Sequence, residues 1–290
     1  MIKTNLEKLV ETAVLGEIGH PGPDEGEIGD GSPVVPGEFS GIVLNVKVGD
    51  PAFDWAGGDH VEPGVGLRHP DPAAHRGLLR LSCIGCEAVI VEARMEGKDL
   101  RLKGVPGVVT GKSGGRVLVH FPRRILDRLC PGDRVQIRAC GTGAAFLDYP
   151  DVRLANASPR LLRALNPSEK NGRVRIPVAK VVPGRLMGRG IGSADLRSVD
   201  YDIQSSSPEA VRECSLDQIR LGDLVAVSDQ DATHGLRWQP GAVTIGVVVH
   251  GSSLRSGHGP GLNVLMTSPK GTLEPIITRR ANLAELLGLQ

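Results

Sequence analysis

Aromatic side chains are scarce in this chain: Phe, Trp and Tyr make up 3% of its 290 residues. A core must therefore be assembled from Val, Leu, Ile and Ala, and the 40% hydrophobic content suffices for that at this length. Surplus charge is lacking too. A formal net charge of +1 leaves no field to hold a polyanion, which argues against a nucleic-acid partner. No apolar run approaches the roughly 20 residues of a membrane-spanning helix. The N-terminus alternates charged and apolar residues where a secretion signal has a basic start and an apolar core. Five cysteines, an odd number, make a poor disulfide framework and an ordinary set of reduced thiols. These absences together lead to the expectation of a cytoplasmic protein with no membrane partner.

Turn chemistry is abundant. With 39 Gly and 21 Pro, the chain is predicted to be α+β but mainly β, with strand-rich, barrel- or sandwich-like halves and a few short helices. Leu6, Leu9, Val10, Ala13 and Val14 recur at helical spacing behind Thr4 or Asn5, predicting an opening amphipathic helix. Gly/Pro-rich loops follow at 19–37 and 49–77, separated by the alternating Ile42, Leu44, Val46 and Val48. Further strands are predicted at 78–81, 88–93, 105–110, 116–120, 174–182, 224–228, 243–249 and 262–266. Short helices are predicted after Pro122, after Ser158-Pro159, and over 283–287 between Asn282 and Gly288. The Ser158 helix sets the expected boundary between an N-terminal β-rich part, 1–157, and a C-terminal α+β part, 158–290. Leu129, Gly132, Asp133, Val135 and Ile137 are echoed by Ile219, Gly222, Asp223, Val225 and Val227, with Gly49-Asp50 a looser third copy. Recurring Gly-Asp turns at strand ends explain this more simply than duplication.

Three motif matches fail on context. Gly111-Lys112-Ser113 has Pro106 where a phosphate-binding loop needs its leading glycine, so no nucleotide is expected. Gly111-Lys112-Ser113-Gly114-Gly115 fits Gly-x-Ser-x-Gly, but the alternating Val117, Val119 and Phe121 after it predict a strand, which makes the motif a hairpin turn. Cys83 and Cys86 have no second pair nearby to complete a zinc site.

What survives is two clusters far apart in sequence. Asp59, His60 and Glu62 lie in the second long loop. His250 ends the run Val247, Val248, Val249, and His258 follows among Gly257, Gly259 and Gly261. A histidine leaving a core strand is held rigidly, which makes Asp59, His60, His250 and His258 candidate ligands of a divalent metal, zinc before others. Glu62 and Asp202 are candidate catalytic groups for moving a proton, and the amides of Gly257, Gly259 and Gly261 a candidate anion-binding nest. A plainer alternative stays open, with His250 bonded to a backbone carbonyl, His258 at the surface and the loop acids solvated. Asp200 and Asp202, like Asp229 and Asp231, form an Asp-x-Asp pair that faces one side of a strand and suits a hard cation. Asp200, Asp229, Asp231 and His234 receive no role.

Gly58-Asp59-His60-Val61-Glu62-Pro63-Gly64, Ser82-Cys83-Ile84-Gly85, Val109-Thr110-Gly111-Lys112, Asp200-Tyr201-Asp202-Ile203 and Gly257-His258-Gly259-Pro260-Gly261 together resemble a bacterial and archaeal family known as a domain of unknown function, with N-terminal and C-terminal parts. The chain departs from that pattern at Cys86 and Ser113, where Asn and His are expected. The resemblance implies a compact strand-rich fold and supplies no activity. A looser likeness, by analogy only, is to acetamidases and formamidases, whose strand-rich subunits hold metal with Asp and His near Gly-rich turns. The resulting expectation is a metal-dependent, amidase-like hydrolase of a small polar metabolite, homo-oligomeric, with its site at the junction of the halves. The alternative is a non-catalytic small-anion-binding or assembly protein that uses the Gly-rich turns.

Overall fold

The computed structural model describes residues 2–21, 26–27, 33–34, 37–56, 58–93, 102–193 and 195–289. Much of the predicted 19–37 loop, and Gly57, lie outside these residues. In the N-terminal half the chain runs through β1 (Thr12–Ile18), β2 (Gly26–Glu27), β3 (Pro33–Val34), β4 (Gly37–Glu38), β5 (Ile42–Val43), β6 (Gly58–Asp59), β7 (Gly64–Arg68), α1 (Pro72–Leu81), β8 (Glu87–Glu92), β9 (Pro106–Ser113), β10 (Arg116–His120), α2 (Arg123–Leu126) and β11 (Arg134–Ala139). The main sheet has the order β1-β11-β8-β9-β10-β7-β5, and β7 pairs back onto β1 through Leu67–Ile18 and Arg68–Glu17. The sheet thus rolls over its own core. Val65, Leu67, Ile90, Val109, Val117, Val119, Val135 and Ile137 fill that core with Leu78 of α1.

The C-terminal half contains β12 (Arg153–Leu154), α3 (Pro159–Leu165), β13 (Ser168–Lys170), β14 (Arg173–Val178), β15 (Lys180–Pro183), β16 (Tyr201–Asp202), α4 (Pro208–Cys214), β17 (Leu224–Asp231), β18 (Arg237–His250), β19 (Gly261–Ser268), β20 (Leu273–Ile277) and α5 (Leu283–Leu287). Its larger sheet has the order β12-β19-β18-β17-β15, with β16 on β19, while β13-β14-β20 form a smaller one. The fold is strand-rich and sandwich-like, as predicted.

Four predicted elements change. The opening segment makes only a 3-10 turn at Leu6–Lys8, then enters β1, which pairs with β11 from Thr12 to Glu17. Val10 of the predicted apolar face is 81% exposed, so the helical spacing was coincidental and long-range pairing with β11 decided the conformation. Residues 78–81 are helical, the last turn of α1. Asp71 caps that helix by accepting from the Ala74 N–H and Pro72 occupies its first turn, signals hidden inside a loop-like composition. Val174 to Val182 is two strands, β14 and β15, pairing in parallel with β20 and β17 respectively, in different sheets. Of the alternation at 42–48, only Ile42 and Val43 pair, although Val46 and Val48 are buried.

The Gly-Asp echo is one turn built three times. Gly49, Gly132 and Gly222 all have φ between +83° and +103°, which favours glycine. In each copy the Asp carboxylate accepts from the backbone N–H three residues earlier: Asp50 from Lys47 at 2.9 Å, Asp133 from Cys130 and Asp223 from Arg220 at 2.8 Å.

The halves meet along β9 and the 47–62 segment. A Cβ on Gly111 would collide with Val249 of β18, so β9 can lie against the C-terminal sheet only with glycine there. Asn263 of β19 seals the contact, accepting from the Lys112 N–H at 2.6 Å and donating to the Lys112 carbonyl at 2.9 Å. The 47–62 segment runs across the other half through hydrogen bonds between Ala52 and Ile219 (2.9 Å), Ser252 and Ala52 (2.7 Å), and His60 and Ser252 (3.2 Å). No helix among the described residues is long and apolar enough to cross a membrane.

Candidate metal centre

Three chain segments converge where the halves join. His60 arrives on the turn after β6 with φ +48°, a left-handed conformation that costs a β-carbon-bearing residue about 1 kcal/mol or more. Strain of this kind persists only where surrounding contacts enforce it. Asp202 ends β16, pairing with Gly261 at the start of β19, and His250 ends β18 opposite the same glycine. The Gly-rich turn is stapled to β16 by Ile203 N–H to the Pro260 carbonyl and Ser205 N–H to the His258 carbonyl, both at 3.0 Å, which sets His258 over Asp202.

Asp202 is the hub. It is 1% exposed, and its Oδ2 has no hydrogen-bond partner among the described residues. That oxygen lies 3.3 Å from His258 Nδ1 and 3.7 Å from His60 Nε2, and these two nitrogens are 2.9 Å apart. Its Oδ1 lies 3.7 Å from His250 Nε2, which is 2.8 Å from Asp200 Oδ2. His60, Asp202 and His258 thus form one group of donor atoms that could hold a metal, and Asp200, Asp202 and His250 another.

Charge follows this geometry. Burial opposes ionisation of Asp202, but attraction from His250 and His60 outweighs it, holding the carboxyl well below its usual range. His250 is fully enclosed; burial favours its neutral form, yet Asp200 and Asp202 raise it well above the ordinary imidazole value. His60 is likewise raised, Asp202 and Asp59 overcoming burial. His258 moves the other way: burial lowers it, and Asp202 does not compensate for His60, Arg189 and Arg255.

The expected residues find distinct places. Asp59 sits behind His60, its Oδ2 2.5 Å from Nδ1 and its Oδ1 accepting from the Leu254 N–H at 3.2 Å, so it orients the ring rather than facing the centre. Burial resists its charge, but the bonds from His60, Ser253 and Leu254 lower its pKa overall. Glu62 is paired with Arg116 at 3.2 Å, both side chains nearly sealed. Gly259 and Gly261 serve close packing: a Cβ on Gly259 would strike the Ile203 carbonyl, and one on Gly261 would occupy the place of His250 Nε2, whereas Gly257 faces open space and its φ of +78° favours glycine. Asp229 accepts from the Gly241 N–H at 2.8 Å, and Asp231 is held by Thr233 and Arg237, both away from the centre.

Sequence reasoning missed the supports. The segment leading into Asp200 is pinned by Asn156 to the Leu196 carbonyl (2.7 Å), by Lys112 Nζ to the Arg197 carbonyl, and by Asn263 to the Val199 carbonyl (3.3 Å). Lys112 is wholly buried, its ammonium also donating to Asn156 Oδ1 at 2.8 Å. In the sequence it figured in two failed motif matches and in the family motif Val109-Thr110-Gly111-Lys112, none of which marked it as a buried support. All five cysteines are free.

A strand-rich chain of two parts, with a buried His/Asp centre between them, matches the two models of one family. Residues 28–163 match the N-terminal part of the domain of unknown function DUF4438, and 164–287 its C-terminal part. The chain belongs to this family. Its fold is similar to the crystal structure of TM1086, with a TM-score of 0.89 and 40% identity over 98% of each chain. No curated protein matches it.

Proposed function

We propose that His60, Asp202 and His258 bind a divalent transition-metal ion, zinc first, and that the protein is a metal-dependent hydrolase of a small polar substrate. The buried Oδ2 of Asp202 carries this reading: it meets no hydrogen-bond partner among the described residues, while two imidazole nitrogens converge on it at 3.3 and 3.7 Å, the carboxylate–imidazole donor set that suits such an ion. Size agrees with charge. The three donor atoms are separated by 2.9, 3.3 and 3.7 Å, spacings at which His60, His258 and Asp202 would hold one ion at the roughly 2.0–2.1 Å bonds of zinc. Asp59 behind His60 completes the carboxylate–histidine–metal arrangement.

His258 and Asp200 are partly exposed, with 18% and 17% of their side-chain surface accessible, so water and substrate reach the centre from that side. A bound ion would lower the pKa of its water and polarise a carbonyl. Water oxygen would then add to the carbonyl carbon, and its proton would pass through a neighbouring carboxylate to the departing group as the acyl bond broke. Asp200 borders the centre and is the group best placed for this transfer; Glu62 is engaged with Arg116. Amides are the substrate class to try first, by the analogy drawn from the sequence. Metal analysis of untagged protein, with hydrolysis assays on small amides and esters before and after chelation, tests the reading. Bound metal and chelator-sensitive hydrolysis are expected; protein that takes up no zinc at micromolar concentration contradicts it.

A further inference from the structure

We infer that the centre holds two ions, bridged by Asp202, with the second bound by Asp200, Asp202 and His250. This deepens the single-ion reading and rests on it; Asp200 then serves as a ligand instead of carrying the proton. The two carboxylate oxygens of Asp202 address different partners: Oδ2 faces His60 and His258, whereas Oδ1 faces His250. A carboxylate that offers one oxygen to each of two donor groups is placed as a bridge, and bridged catalytic pairs lie about 3.5–4 Å apart. The groups are adjacent, since the His60 and His250 rings have centroids 4.8 Å apart.

The surroundings are built for the second group as much as for the first. His250 is 1% exposed, with Nδ1 fixed by the Gly251 carbonyl at 2.9 Å, and this bond leaves Nε2 as the atom directed at Asp200 and Asp202. Gly261 makes the space, since a Cβ there would overlap His250 Nε2 and come within 2.8 Å of Asp200 Oδ2.

Titration of metal-free full-length protein with Mn²⁺, followed by electron paramagnetic resonance and by counting bound ions, tests the pair. The expected result is two ions per chain, the second replacing the six-line signal of an isolated ion with an exchange-coupled spectrum. Asp200→Asn and His250→Ala should each reduce binding to one ion and abolish the coupling. Gly261→Ala, which removes no ligand, should weaken the second ion at least 10-fold, with circular dichroism verifying the fold of each variant. One uncoupled ion per chain in the unaltered protein overturns the pair and leaves the single-ion reading standing. No bound ion overturns both.

Discussion

His60 shows how little of a residue's role depends on its own contacts with a ligand. Its ring is aimed by Asp59 from behind, and its backbone is held at positive φ by the turn after β6. Asp59→Asn keeps the shape and removes the charge that makes His60 a better donor. Zinc affinity by calorimetry should fall about 10- to 100-fold, with the far-ultraviolet spectrum unchanged. Lys112 supplies a second expectation at this scale. Burial lowers its pKa to about 8 from the usual 10.5, against opposing attraction from Cys83 and Asp195. Between those pH values the unfolded chain holds the additional proton, so this lysine makes stability rise with pH. Cys83, pushed up to about 11 chiefly by burial, acts in the opposite sense above pH 9. The window free of that opposition is therefore pH 8 to 9. Urea denaturation of the unaltered protein relative to Lys112→Met should show a gain of about 1 kcal/mol across it.

At the level of elements, local signals succeeded where turn chemistry and capping acted alone. Ser158-Pro159, Asn282 with Gly288, and the Gly-Asp turns all form as their residues dictate. They failed where a distant strand decided, as in β1, or where a cap was embedded in a Pro-rich loop, as at Asp71. The site divides in the same way. His60, His250 and His258 stood out as histidines at strand ends and tight turns, and Asp202 as one of an Asp-x-Asp pair. That Asp202 rather than Asp59 is the hub depends on β16 docking on β19, which no spacing encodes. Asn263 is invisible for the same reason, since its worth lies in clamping β9 and the segment before Asp200. Asn263→Leu strands the Lys112 N–H and carbonyl in the interior, and should cost about 3 kcal/mol in urea denaturation. It should also weaken metal binding, because the Asp200 segment loses an anchor.

For the whole molecule, the decisive fact is that the candidate ligands are divided between halves: His60 from the first, and Asp202, His250 and His258 from the second. Metal should therefore stabilise the chain as a unit. At a hundredfold excess over its dissociation constant, zinc should add about 2.7 kcal/mol, visible as a raised melting temperature that a chelator reverses. His60→Ala should reduce that gain, because the first ion loses its N-terminal ligand although every C-terminal one remains. Anomalous X-ray scattering at the zinc edge, from crystals of the untagged protein grown with zinc, tests the centre most directly. The account predicts a peak bonded to His60 Nε2, His258 Nδ1 and Asp202 Oδ2 at about 2.0–2.2 Å. A map with no peak there, and the two imidazoles still hydrogen-bonded to each other, would contradict it.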